Sequence, residues 1–182
     1  MRRGSRPKKD KCAYRQWRRL MKIREIMAKT LTTVEAGETL EAAAKRMTEN
    51  GVSGAPVVDR EGNLVGILSE SDILKHMKTL VDDEVGMRYL SDTTHSLSLF
   101  VMLAERDHEV REAVFKRLRA AKVEKAMTKD VFTARPNDTI ESVAAQMIEH
   151  NVNRIPIVEG EQVVGMVTKA DFARLVATGQ PR

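Results

Sequence analysis

The chain repeats itself, and that repeat limits what it can fold into more than any other feature. Residues 22–59 read KIREIMAKTLTTVEAGETLEAAAKRMTENGVSGAPVVD, and residues 122–159 read KVEKAMTKDVFTARPNDTIESVAAQMIEHNVNRIPIVE. Twelve of these 38 positions are identical, among them Met27/Met127, Thr33/Thr133, Thr39/Thr139, Met47/Met147 and Pro56/Pro156. One residue then drops out of a turn, and LVGILSESD (64–72) matches VVGMVTKAD (163–171) at an offset of 99. A duplicated unit of about 50 residues is marginal alone, so the two copies are expected to share a core.

Each copy can be read for structure. TLTTV and VFTA are short β-prone stretches. A helix follows, with Leu40, Ala43, Ala44 and Met47 on one face and Ile140, Val143, Ala144 and Met147 on its counterpart. Asp138, with Glu141 three residues later, is the expected N-cap in the second copy. Gly51 and Asn151 close the helices, being the residue types that best tolerate a left-handed backbone. A strand containing proline comes next (VSGAPVV, VNRIPIV), then a turn (DREGN, EGEQ), a second strand, and a helix opening at Ser69 or Thr168. The expected order is β-α-β-β-α, twice.

The M-x-K lead, the V-x-x-x-P-V/I-V strand and the closing G-h-h-S/T-x-x-D, where h is apolar, recur in order in both copies. With them the chain resembles the CBS domain, found in tandem as the Bateman module. The resemblance implies an α/β (α+β) fold of two units related by a pseudo-twofold axis. It gives one unit at 22–77 and a second at 122–178. Around them lie a basic arm at 1–21, expected to be disordered, a helical insert at 78–121 and a tail at 179–182.

The closing motif admits two readings. Ser-x-x-Asp is a capping box, with the hydroxyl accepting from the third helical amide and the carboxylate reaching back. A helix N-terminus also offers N–H groups to a phosphate, a carboxylate can accept from the two hydroxyls of a ribose, and a bare glycine lets a ligand come close. The resemblance implies the second reading and two crossed adenosine-type sites. One set is Thr33 and Ser53, Gly54 and Ala55 with Thr168 and Asp171. The other is Thr133 and Asn153, Arg154 and Ile155 with Ser69 and Asp72, to which Thr128 is added; its counterpart Ala28 has no hydroxyl. Arg154 has as its counterpart Gly54, which carries no side chain, so the site of Arg154 with Asp72 is expected to suit charged phosphates better than the other.

Composition adds a few limits. Residues 1–22 hold ten of the 31 Lys and Arg and one acid, Asp10, leaving residues 23–182 with 21 bases and 25 acids. The basicity therefore belongs to a tail. Its interleaved Tyr14 and Trp17 suit phosphate contact and base stacking; the alternatives are a solvated arm or a start at Met21. One cysteine, Cys12, makes no internal disulfide and suits a cytoplasmic protein. No apolar run approaches the roughly 20 residues of a membrane span, and no apolar stretch follows the first bases as in a secretory signal. His76, His95, His108 and His150 lack metal-ligand spacing. No acid/base or nucleophile constellation is visible, so an enzyme is not expected and no cofactor is required. Residues 99–121 carry Leu99, Met102, Leu103, Val110, Val114 and Leu118 at helical spacing, read as a connecting helix lying on the module or as a partner surface. The leading expectation is a stand-alone regulatory homodimer that binds an adenosine nucleotide or S-adenosylmethionine-type ligand in the cleft between its units and signals to a partner protein. The alternative is a nucleic-acid-associated protein using the basic arm.

Overall fold

The computed structural model describes residues 21–85 and 108–180, and their contacts group into two units, one of residues 32–131 and one of residues 1–31 with 132–182. Residues 1–20 of the basic arm, the loop at 92–96, His95, Leu99, Met102 and Leu103 lie outside the described residues, as does the side chain of Val110, whereas Met21, expected to belong to the disordered arm, is buried.

In the contiguous unit, β1 (Val34–Glu35) leads into α1 (Leu40–Glu49), β2 (Gly54–Val58), β3 (Leu64–Ser69) and α2 (Glu70–Val85). The insert then contributes α3 (His108–Ala120) and the short α4 (Val123–Ala126). β2 is central, parallel to β1 and antiparallel to β3. In the discontinuous unit a single 3-10 turn, Ile23–Glu25, is followed after residue 131 by α5 (Ile140–Glu149), β4 (Arg154–Glu159), β5 (Gln162–Thr168) and α6 (Lys169–Thr178). β4 and β5 are antiparallel.

The helices form as their patterns require. Leu40, Ala43 and Met47, and Ile140, Val143 and Met147, are the buried faces of α1 and α5. Both helices are capped by threonine, Thr39 accepting from the Ala42 amide and Thr139 from the Ser142 amide at 3.2 Å each. The cap therefore falls one residue after Asp138. That carboxylate instead accepts from the Arg135 amide at 2.7 Å and closes the preceding turn. Gly51 and Asn151 take the positive φ expected of them, 62° and 49°.

The β-prone stretches yield less strand than expected. Val34 and Glu35 pair with Val57 and Val58, whereas Ala134 makes one parallel bridge to Ile157. The Ala36 amide extends the first pairing by donating to the Val58 carbonyl at 3.0 Å. Pro136 stands at the matching position and has no N–H to donate. Pro56 and Pro156 do no such damage inside β2 and β4. Their cross-strand partners, Ile67 and Met166, turn both backbone groups away from them, to Thr128 and Ala28. Each proline thus sits in a non-hydrogen-bonded pair, where no amide is asked of it by the neighbouring strand.

What closes each unit is a lead segment from the other repeat. The Ile67 and Thr128 amides exchange hydrogen bonds with each other's carbonyls at 2.9 Å, and Ala28 does the same with Met166 at 2.8 and 3.0 Å. Val123 donates to the Glu38 carbonyl and Ile23 to the Asp138 carbonyl, at 3.0 and 2.9 Å. A methyl at Gly66 would stand 2.7 Å from Met127 Sδ and 2.9 Å from the Thr128 carbonyl oxygen. At Gly165 it would stand 2.5 Å from Met27 Sδ and 3.3 Å from the Ala28 carbonyl oxygen. The motif glycines, expected to admit a ligand, instead admit a methionine. The buried clusters follow the same partition. Val123 belongs with Val34, Leu40, Val57 and Leu68, whereas Met21, Ile23, Ile26 and Met27 belong with Ile140, Val143, Ile155 and Val167.

Beyond the lead, the contiguous unit gains α3, whose Val114 and Leu118 pack with Met77, Leu80 and Val81 of α2. Val176, the counterpart of Met77 on α6, is 62% exposed, and α6 stops at Gly179 with φ 68°.

The hairpins differ where the repeat loses its residue. Asp59 Oδ1 accepts from the Asn63 and Glu61 amides at 2.8 and 3.0 Å, pinning a loop that Gly62 (φ 86°) completes. The other hairpin turns on Gly160 and Glu161 alone, between paired Glu159 and Gln162. The Asn63 amide foremost, with the Asn63 side chain and the neighbouring amides, holds the Asp59 carboxyl below its ordinary 3.8.

Two outcomes follow. Gly66→Ala is expected to cost about 1–3 kcal/mol, because backbone as well as a side chain must yield, and Gly165→Ala less, because mainly a flexible thioether yields. Gly37→Ala, with open space around it, should change stability by no more than about 0.5 kcal/mol; denaturant titration checks the order, and equal costs at all three would contradict it. Since the folded-state pKa of Asp59 is depressed, its contribution is present above the unfolded value and lost as pH falls through the folded one. Asp59→Asn should therefore flatten the loss of stability below about pH 4, and an unchanged slope there would contradict this.

Candidate functional site

The two motif aspartates sit where a strand becomes a helix. β3 runs directly into α2 and β5 into α6, so Asp72 and Asp171 fall at the third helical residue. They are the buried charged residues of the described chain, 6% and 5% exposed. A carboxylate can be held in such a place only if its oxygens are satisfied.

One oxygen serves the cap in each case. Asp72 Oδ2 accepts from the Ser69 amide at 2.9 Å and from the Ser69 hydroxyl, and the Asp72 amide reaches Ser69 Oγ at 3.3 Å. Asp171 Oδ2 accepts from the Thr168 amide at 2.9 Å and the Thr168 hydroxyl at 2.7 Å, completing a capping box. The first helical amides are also engaged, Glu70 donating to the Ser53 carbonyl at 3.2 Å and Lys169 to the Asn153 carbonyl at 3.0 Å. The helix starts are thus less open to a phosphate than their sequence suggests.

The other oxygen differs between units. Asp72 Oδ1 accepts from the Thr128 hydroxyl at 3.1 Å, and the Lys75 ammonium lies 3.8 Å away. Asp171 Oδ1 accepts from Arg174 Nη2 at 2.7 Å. Thr128 reaches Asp72 because the Met127 lead docks at Gly66; in the other unit the same docking delivers Ala28, which has no hydroxyl.

The remaining expected residues line up by register. Gly54 lies opposite Ser69 and Ala55 opposite Leu68; Arg154 lies opposite Thr168 and Ile155 opposite Val167. Ala55 and Ile155 are buried, whereas Ser53 and Asn153 are exposed just before the strands. Thr33 is half-buried beside β1, its carbonyl accepting from Arg46 at 2.9 Å, and Thr133 is exposed. Within a unit, then, the proline strand and the capping motif come together, with Thr128 added in the contiguous one. The crossed combinations take residues from both units. Sequence reasoning missed Lys75 and Arg174, though both stand three residues after the aspartates at matched positions. Of the histidines, His108 opens α3 and His150 follows α5, stacked on Phe132 at 3.7 Å.

The CBS domain model matches residues 23–79 and 122–178, and the chain belongs to that family. Among solved structures, the CBS domain of a CBS domain containing membrane protein from Sphaerobacter thermophilus is 34% identical, with a TM-score of 0.69 over 91% of this chain and 93% of that one. A CBS domain pair solved with 5′-methylthioadenosine and S-adenosyl-L-methionine is 22% identical, with a TM-score of 0.60 over 88% and 99%. The CBSX2 protein, solved with AMP, is 19% identical, with a TM-score of 0.60 over 86% and 96%. No helix among the described residues is long and apolar enough to cross a membrane.

Proposed function

We propose that the chain is a regulatory module that binds adenosine-type ligands, through Asp72 in one unit and Asp171 in the other, and signals to a partner protein. The observation that carries the reading is the pair of buried carboxylates at strand-to-helix junctions, each with one oxygen committed to the cap and the other turned to exchangeable groups. A ribose diol can take the place of such groups without dismantling the cap. The proline strands supply backbone groups at Gly54 and Arg154 for a base edge. Structural neighbours solved with S-adenosyl-L-methionine, 5′-methylthioadenosine and AMP share the fold and support the ligand class. The module is read as a cytoplasmic homodimer and as a binder rather than a catalyst. A second reading, association with nucleic acid, rests on the ten bases of residues 1–22.

Calorimetry with AMP, ATP, adenosine, 5′-methylthioadenosine and S-adenosylmethionine tests the proposal. Asp72→Ala and Asp171→Ala should each weaken their own site about tenfold to a hundredfold, the loss of a hydrogen bond to a charged group being about 1.5–3 kcal/mol. Both proteins should still fold, since a lost cap costs about 1 kcal/mol. Binding left intact by both changes while melting falls would mean that the aspartates are caps and nothing more.

A further inference from the structure

We infer that Arg174 sets the ligand class of the Asp171 site, acting as a latch that an anionic ligand releases and a neutral one does not. The inference rests on the adenosine reading above and adds to it a difference between the two aspartates.

A carboxylate has about four lone-pair positions. At Asp171 the cap uses Oδ2 twice, and the Arg174 guanidinium occupies Oδ1 at 2.7 Å. A ribose diol that binds Asp171 with both hydroxyls must therefore move Arg174. This breaks a charge-assisted hydrogen bond to a carboxylate that is 5% exposed, which is among the stronger polar contacts a protein makes. The guanidinium, 44% exposed and on a long side chain, swings free beside the ligand. An anionic group on that ligand receives it; a neutral ligand leaves it without a partner.

At Asp72 the exchange is of another kind. Oδ1 holds the neutral Thr128 hydroxyl at 3.1 Å, so a ribose hydroxyl replaces a like group. Lys75, at the position matching Arg174, lies 3.8 Å from Oδ1 and is 78% exposed, so little charge pairing is lost. The Asp171 site is thus the discriminating one, taking adenosine ligands with a phosphate or other anionic tail. At the Asp72 site no charged latch has to open for a neutral-tailed nucleoside.

The test uses the full chain carrying Asp72→Ala, so that the Asp171 site is read by itself, with AMP and adenosine as calorimetric probes. AMP should bind more tightly than adenosine. Adding Arg174→Ala should tighten adenosine about threefold to tenfold and weaken AMP, so that the ratio of the two affinities falls tenfold or more. Arg174→Gln, which keeps a donor for Asp171 but not the charge, should also lower the ratio and serves if the alanine variant does not fold. Arg174→Lys should keep most of it. A ratio unchanged in the Ala and Gln variants overturns the latch while leaving the adenosine reading in place. Equal loss of both probes in a folded variant makes Arg174 structural and also overturns it. Failure of the unaltered chain to bind either compound overturns the adenosine reading itself, and the latch with it.

Discussion

The contact on which the rest of the structure depends is a methionine filling the space of a missing side chain. Met127 lies against Gly66 and Met27 against Gly165, and in each case the neighbouring residue pairs with the strand through two backbone hydrogen bonds. The thioether suits the task because it is flexible and polarizable and adapts to an irregular gap. Since each methionine comes from the repeat that does not own the glycine, neither repeat completes its own core. Residues 21–27 supply four buried side chains to a unit whose other elements begin more than a hundred residues later. That sequence separation carries a loop-closure cost which only a well-packed lead can offset.

The same contact shapes the candidate site. Docking of the lead fixes which residue stands beside each aspartate, Thr128 in one unit and Ala28 in the other. A buried carboxylate cannot leave its outer oxygen unsatisfied at no cost. Where the lead brings a hydroxyl, a neutral group serves; where it brings a methyl, Arg174 is the partner seen at 2.7 Å. A single difference between the repeats therefore accompanies a change in the electrostatics of the whole junction, although the two capping boxes are alike.

Much of this was legible in the sequence. The duplication, the element order, the buried faces of α1 and α5 and the left-handed residues at Gly51 and Asn151 all follow from periodicity and residue chemistry, because each depends on neighbours a turn or two away. The cap at Ser69 was readable for the same reason. Other features were not, and the causes are physical. The exchange of lead segments leaves no local trace, since Met27 has the same sequence neighbours whichever glycine it covers. The shortened strand at Ala134 hangs on one missing amide at Pro136. The partner of Asp171 was within reach, three residues away on one helix, but matching the repeat past the aspartate was needed to see Arg174 and Lys75 as counterparts.

The central claim is that the folding unit is not the repeat. Two fragments separate the possibilities: residues 32–131, which contain one whole unit with its docked lead, and residues 22–85, which contain one whole repeat with its lead misplaced. Urea titration followed by far-UV circular dichroism and amide NMR dispersion should show cooperative unfolding and a dispersed spectrum for 32–131, and neither for 22–85. A cooperative, dispersed 22–85 beside an unfolded 32–131 would contradict the account.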